Sequence, residues 1–279
     1  MLRLDPAYPP VWRDVSTLQF GLDPVVVIDE PRPWQLRLVR SLERGIPDDA
    51  IDAIAIAVGA EPGAATGFLA RLAPAVASPP PAPPHLRVVA ADGAEDAARA
   101  LARALEAGGA QCVPGGEGGH EVTVLVAHHL VEPRHATALM RADRDHVPVV
   151  FTGSGAEVGP FVRPGTTPCL SCRTARRRDA DPAWPVLASQ LLGRPGTMST
   201  DAALVLDAAA AVLGLIGEGV RSASAHHRML TLRAHSAERI SVSVEQHPAC
   251  GCRSPEGTAT ADVRDAREPT SPRACARPA

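Results

Sequence analysis

Seven residues, Ser78-Pro-Pro-Pro-Ala-Pro-Pro84, constrain what this 279-residue chain can fold into more than any others. Each proline fixes φ and lacks a backbone N–H, so the run can continue neither a helix nor a central strand. It reads as an extended spacer, and the chain is predicted to divide there. Residues 1–77 form one module, 78–84 the linker and 85–253 a larger domain. Residues 254–279 have little to bury and are predicted to be a disordered tail.

In the first module, Thr17–Phe20 and Val25–Asp29 read as strands meeting at the turn Gly21–Pro24. Three helical stretches follow: Pro33–Glu43, with Leu36, Val39 and Leu42 near one face, then Pro47–Val58 and Pro62–Val76. A hairpin with three helices suggests a small winged-helix module. Its charge argues against reading DNA, because residues 1–77 carry seven arginines against ten acids and the third helix offers only Arg71. Phosphate neutralisation dominates such binding. Aromatics at 3% also leave few platforms for stacking single-stranded bases, so no nucleic-acid partner is expected.

Beyond the linker, strands alternate with helices. Leu86–Ala91, Glu121–His128 and Val147–Thr152 read as strands, Glu95–Ala107 and Arg134–Arg144 as the helices between them. Helices over Pro182–Leu192 and Thr200–Val220 follow, then a hairpin, Met229–Ala234 with Arg239–Glu245. Strands without polar alternation, separated by helices, indicate an α/β fold: a Rossmann-like, mostly parallel sheet with helices on both faces. The apolar run Ala202–Ile216 is interrupted by Asp207 and falls short of the ~18–20 residues of a membrane span, so it reads as a buried helix. Met1–Pro10 lacks the basic start and apolar core of a secretory signal, which predicts a cytoplasmic location without membrane association.

In that compartment, close cysteine pairs point to metal or redox chemistry before disulfides. Cys169-Leu-Ser-Cys172 is a C-x2-C knuckle, and Cys250-Gly-Cys252 a C-x-C about eighty residues later. Four thiolates from two tight turns suit tetrahedral Zn(II), whose closed four-sulfur sites are structural. The alternatives are a pair of incidental buried cysteines or a redox couple; the latter would sit at a helix N-terminus, whereas this knuckle follows a Pro/Gly loop. Cys112 stands alone, and Cys275 lies in the tail. The run Arg173, Arg176, Arg177, Arg178 could bind an anion or an acidic peptide, but such a run more often reads as a solvated loop, here partly offset by Asp179 and Asp181; each of His128-His129 and His226-His227 reads as one ring inward and one in water.

The dinucleotide fingerprint G-x-G-x-x-G belongs after the first strand. Its glycine positions fall on Ala90, Asp92 and Glu95. Carboxylates at the helix start would repel phosphate, and the chain contains no lysine at all, which argues against ATP or NAD there. Gly153-Ser154-Gly155 lacks the flanking glycines of a nucleophile elbow and reads as a turn.

The run Gly159-Pro-Phe-Val-Arg-Pro-Gly-Thr-Thr-Pro-Cys-Leu-Ser-Cys172, then Asp181-Pro-Ala-Trp-Pro185, and His247-Pro-Ala-Cys-Gly-Cys252 resemble the ThiF-like, ubiquitin-activating-enzyme-like proteins of thiazole/oxazole-modified peptide (bacteriocin) biosynthesis, the cyclodehydratase-domain or leader-peptide-binding group. The resemblance spans roughly Leu86–Arg253, with the N-terminal module placed as that family places its peptide-recognition winged helix. It implies zinc on Cys169, Cys172, Cys250 and Cys252. It implies as partners a precursor leader peptide and a YcaO-type modifying enzyme that uses the ATP. The family's adenylation residues do not carry over, because the glycine-rich loop has decayed.

The expected function is therefore a leader-peptide-binding scaffold without catalytic or nucleotide-binding residues of its own. The alternative is an ATP-dependent adenylyltransferase activating a carboxylate. Peptide capture would add a strand to the hairpin edge, with Val25, Val27, Phe68 and Leu72 as the groove unless these four simply form the module's core. The Ala-rich helix Asp201–Gly217 offers a face for a homodimer.

Overall fold

A computed structural model describes residues 1–77, 82–113, 121–192, 194, 201–221 and 227–252. Most of the proline run (78–81), the 254–279 tail with Cys275, and His226 lie outside these residues. The chain divides into two compact units, Met1–Ala82 and Pro83–Ala279.

The first unit opens with three antiparallel strands, β1 (Pro10–Trp12), β2 (Thr17–Phe20) and β3 (Val26–Asp29), in the order β1-β2-β3. β1 escaped the sequence reading because proline starts it and it spans three residues. Helix α1 (Pro33–Arg44) begins where Gln35 Oε1 accepts the Arg32 N–H at 2.7 Å and Pro33 presets φ. It ends at Gly45, whose positive φ lets its N–H return to the carbonyls of Ser41 and Leu42. Trp34, Leu38, Val39 and Leu42 of α1 pack with Leu18, Phe20 and Ile28 of the sheet and with Phe68 and Leu72. The last two belong to α3 (Ala64–Leu72), which follows α2 (Ile51–Ala57). Trp34 meets Phe68 edge-on at 5.4 Å.

The second unit holds a seven-stranded sheet. Its strands are β4 (His85–Ala90), β5 (Gln111–Cys112), β6 (Val122–His128), β7 (His146–Thr152), β8 (Gly155–Val158), β9 (Arg228–Arg233) and β10 (Arg239–Ser243), ordered β10-β9-β8-β7-β6-β4-β5. Pairing is parallel from β5 through β4 and β6 to β7, then antiparallel from β7 to β10. The sheet is thus mixed, more so than the sequence indicates, because the Gly153-Ser154 turn folds the chain straight back into β8. Helices α4 (Glu95–Ala107) and α8 (Ala202–Arg221) pack with Val124, Val126, Val149 and Phe151 in one core, while Ala127 and Val150 point into a smaller cluster on the other side of their strands. The remaining helices are α5 (Pro133–Arg141), α6 (Leu170–Ala180) and α7 (Trp184–Leu191).

Gly155 has no substitute at its position. A Cβ there would collide with the Leu232 carbonyl of the neighbouring β9. α8 also corrects an expectation: its stretch Ala202–Gly219 is long and apolar enough, by length and composition, to cross a membrane, where the sequence reading stopped at Ile216. Half of that stretch is buried inside the protein, α8 packing on α4, β8 and β9. Asp207 on it pairs with Arg239, and Leu206 is its large apolar side chain left in water.

Candidate metal centre

Cys169 is the N-cap residue of α6 and Cys172 lies in its first turn. This overturns one premise of the sequence reading, since the C-x2-C knuckle does sit at a helix N-terminus. The arginines that follow stand on that helix and not on a loop. What sets the chemistry is the arrival of the second pair from the turn beyond β10, made by Cys250 N–H on the His247 carbonyl. The sulfur–sulfur distances are 3.9 Å for Cys169–Cys172, 3.7 Å for Cys169–Cys250 and 3.5 Å for Cys172–Cys252.

These spacings test two chemistries. A disulfide needs about 2.05 Å, so none of the three is one. A tetrahedron of sulfurs each about 2.3 Å from Zn(II) has edges of about 3.8 Å, and the observed distances cluster on that value. All four sulfurs lie within 4.8 Å of one another, so the group could hold a metal ion. Cys169, Cys172 and Cys252 are buried, Cys250 half-buried, and Val162 and Met140 close the apolar surround.

Without a metal, burial raises the Cys250 thiol to about 11 and Cys252 further still. Burial also pushes at Cys172, but there hydrogen bonds from the backbone of His247 and Cys169 and contacts with Cys252 and Cys250 win, and its pKa is lowered. The helix start adds N–H groups that favour a thiolate.

Two side chains of α6 clasp the strand-end segment that delivers the second pair. Arg176 donates to the Glu245 carbonyl at 3.0 Å and the Gln246 carbonyl at 3.1 Å, and pairs with the Glu245 carboxylate at 3.0 Å. Asp179 takes His247 Nε2 at 2.7 Å, while His247 Nδ1 accepts the Ala249 N–H at 3.1 Å, which places the proton on Nε2. Such outer-shell contacts orient ligands and are part of a metal site. The sequence marks Arg176 and Asp179 only as members of a charged run and not as the clasp of the second pair, because their partners lie 68–70 residues away.

His146 was missed altogether. It is fully buried beside a cavity it shares with Cys169, Cys250 and Met140. Its Nδ1 lies 2.8 Å from the Arg144 carbonyl, to which it donates, and desolvation lowers its pKa.

The residues at the fingerprint positions lie where the sequence predicts. Ala90 ends β4, Asp92 is in the turn and Glu95 opens α4. The Gly93 N–H that would face a phosphate donates to the Glu95 carboxylate at 3.2 Å, and Asp92 is paired with Arg134. Of the four residues read as a peptide groove, Phe68 and Leu72 are buried in the first unit's core, whereas Val25 and Val27 are each 37% exposed. Val27 points to the face of β3 opposite Val26 and Ile28, so the four do not line one surface. His128 and His129 are both half-buried, not one in and one out, and His227 is half-buried as well. Cys112 stands apart, its Sγ 3.7 Å from the Ala102 carbonyl.

No protein-family model matches the sequence, and no curated protein matches it. The fold does match solved structures. One is a heterocyclase in complex with substrate and cofactor, at 15% identity and a TM-score of 0.66, covering 90% of this chain and 39% of that one. Another is the heterocyclase TruD, at 14% and 0.64, covering 90% and 42%. A third is the microcin C7 biosynthetic enzyme MccB in complex with N-formylated MccA, at 10% and 0.55, covering 90% and 99%. This chain thus spans about two fifths of the length of the two heterocyclases it matches. Their shared feature with this chain is the fold, within which the four cysteines come together.

Proposed function

We propose that this protein is a leader-peptide-binding scaffold: it captures a ribosomally made precursor peptide and presents it to a YcaO-type cyclodehydratase, without adenylating anything itself. The observation that carries this reading is the occupied phosphate position. An anion site at a helix N-terminus needs free N–H donors and positive charge. Here Glu95 takes the Gly93 N–H, Asp96 adds a second carboxylate in the first turn, Arg134 is tied to Asp92, and no lysine exists.

Peptide capture is assigned to the first unit, read as a winged-helix recognition module. Among the described residues β3 pairs with β2 alone. Ser16 accepts the Glu30 N–H, and in the antiparallel register the paired positions alternate from there. Val27 and Asp29 therefore direct their backbone N–H and C=O to the open edge, where a peptide can add as a strand. Zn(II) on Cys169, Cys172, Cys250 and Cys252 would be structural, since four thiolates leave no open coordination position. Support for peptide modification as the setting comes from the heterocyclases and MccB that share the fold.

The test is thermal unfolding of the metal-loaded protein with and without millimolar Mg-ATP. A ligand stabilises only a state that binds it, so the midpoint is expected to stay put. An ATP-dependent rise would replace the scaffold by the adenylyltransferase.

A further inference from the structure

The seven-stranded sheet has two edges of different character. One is β5, two residues long, which offers little to another chain. The other is β10, which among the described residues pairs with β9 alone, in unbroken register. Four of its five residues are exposed. Open edges are commonly blunted by proline, central charges or a bulge. β10 contains no proline, and its one charge, Arg239, stands at its first residue and is tied to Asp207.

The phase of the ladder fixes which backbone groups face outward. Val244 donates its N–H to the His227 carbonyl, continuing the register of β10 on β9. Bonding alternates along an antiparallel pair, so Val242 and Ile240 also bond to β9. Arg239, Ser241 and Ser243 therefore direct their N–H and C=O away from the sheet. The next outward carbonyl, that of Glu245, accepts from Arg176. Helix α6 thus closes the edge at Glu245 and leaves the three residues before it open.

We propose that β10 is a homodimer interface: β10 of a second copy adds antiparallel across a two-fold axis at Ser241, joining the two seven-stranded sheets into one. In that register Ser241 meets its own copy and Arg239 meets Ser243, so the outward groups of each strand face those of the other. A residue on the axis meets its own kind, where a charge repels itself but a hydroxyl both donates and accepts. Ser241 Oγ accepts from Arg228 Nε at 3.3 Å, which leaves its proton for the facing hydroxyl. On the opposite face of the strand, Ile240 meets Val242 of the second copy and covers a large apolar side chain that is 40% exposed. Glu238 of one copy comes level with Val244 of the other, next to Glu245. Each of these acids has its own arginine, Arg233 and Arg176, so no uncompensated like charges meet. The same patch on both partners is the isologous arrangement of a two-fold dimer. Two five-residue strands make a small interface, so the dimer is reversible. The proposal is independent of whether the first unit binds a leader peptide.

The test is sedimentation equilibrium of the full-length, metal-loaded protein under reducing conditions, in a series reaching concentrations on the order of 100 µM. A monomer–dimer equilibrium is expected. Ser241→Lys and Ser241→Glu, at an exposed residue whose backbone the sheet does not use, should each weaken dimerisation at least tenfold while circular dichroism stays unchanged. An equal mixture of the two sets Lys against Glu on the axis and should restore the dimer, which misfolded variants could not do. Ser241→Pro removes one outward N–H, a change that edge strands tolerate, and should weaken the dimer as much; it decides the matter if a charged variant fails to fold. A dimer that these variants leave intact, or folded charged variants whose mixture does not recover it, would overturn the proposal. So would a protein that stays monomeric throughout, an outcome that leaves the edge to a strand of some other protein.

Discussion

At Cys172 the metal centre is most exposed to test by substitution. Removing one of four thiolates from a closed tetrahedral site removes the geometry that selects the ion. Cys172→Ser is expected to lower bound zinc from about one per chain to near none, measured by elemental analysis of purified protein. His146 gives a second prediction, this time in pH. Desolvation holds its folded pKa below the ordinary value of 6.5, so as pH falls the unfolded chain takes up the proton first. Stability is therefore intact above about pH 6.5 and is lost as pH drops below it. His146→Gln, which cannot titrate there, should flatten that acid limb in denaturant titrations between pH 7 and 5. An equally steep limb in the variant would remove His146 as its cause. The cysteines were legible because spacing within each pair is local information. His146 was not, since a buried histidine looks like any other until the fold closes around it.

Among the elements, α6 shows where pattern reading fails. Its sequence, LSCRTARRRDA, buries only Leu170 and Cys172, and so carries no apolar periodicity. Its arginines pair with Glu157 and Glu245 far along the chain, contacts that no local window contains. β8 was hidden for a related reason: four residues with a glycine, at a turn. That glycine makes a direct prediction. Gly155→Ala pushes a methyl group into the Leu232 carbonyl, and separating β8 from β9 should cost about 1–3 kcal/mol, read as a lowered unfolding midpoint of the second unit. The long amphipathic helix α4 and the apolar strands β6 and β7 were legible in full, because burial on that scale imprints its own period. At the peptide edge, Val27→Pro removes an N–H that the sheet itself does not use, and edge strands tolerate proline. Peptides selected from a display library on the native protein should lose at least tenfold in affinity for this variant, with little change in melting. Retained binding would move the capture site away from β3.

For the whole molecule, the two cores share no residue: one draws on Leu4 to Ala75, the other on Leu86 to Leu232. The metal centre belongs to the second unit, so its removal should be felt there. Zinc at about one hundred times its dissociation constant would add roughly 2.7 kcal/mol, about 5–11 °C for a unit of this size. Calorimetry with and without a chelator should move one transition and leave the other where it was; a chelator that shifts both equally would contradict two independent cores. The boundary between the two units, Ala82/Pro83, falls within the proline run of the sequence. The reversal of the sheet after β7 did not show, because strand direction depends on which neighbour a strand chooses.

Cys169 and Cys172 precede Cys250 and Cys252 by some eighty residues, with α7, α8 and the last hairpin between them. A ribosome adding 5–20 residues per second needs roughly 4–16 s to cover that distance. During this interval the first pair exists as half a binding site, open to oxidation or to a foreign metal. If the four cysteines take up an ion as proposed, the order of synthesis would make metal capture a report that the hairpin has been made, since half of the ligand set is missing until then.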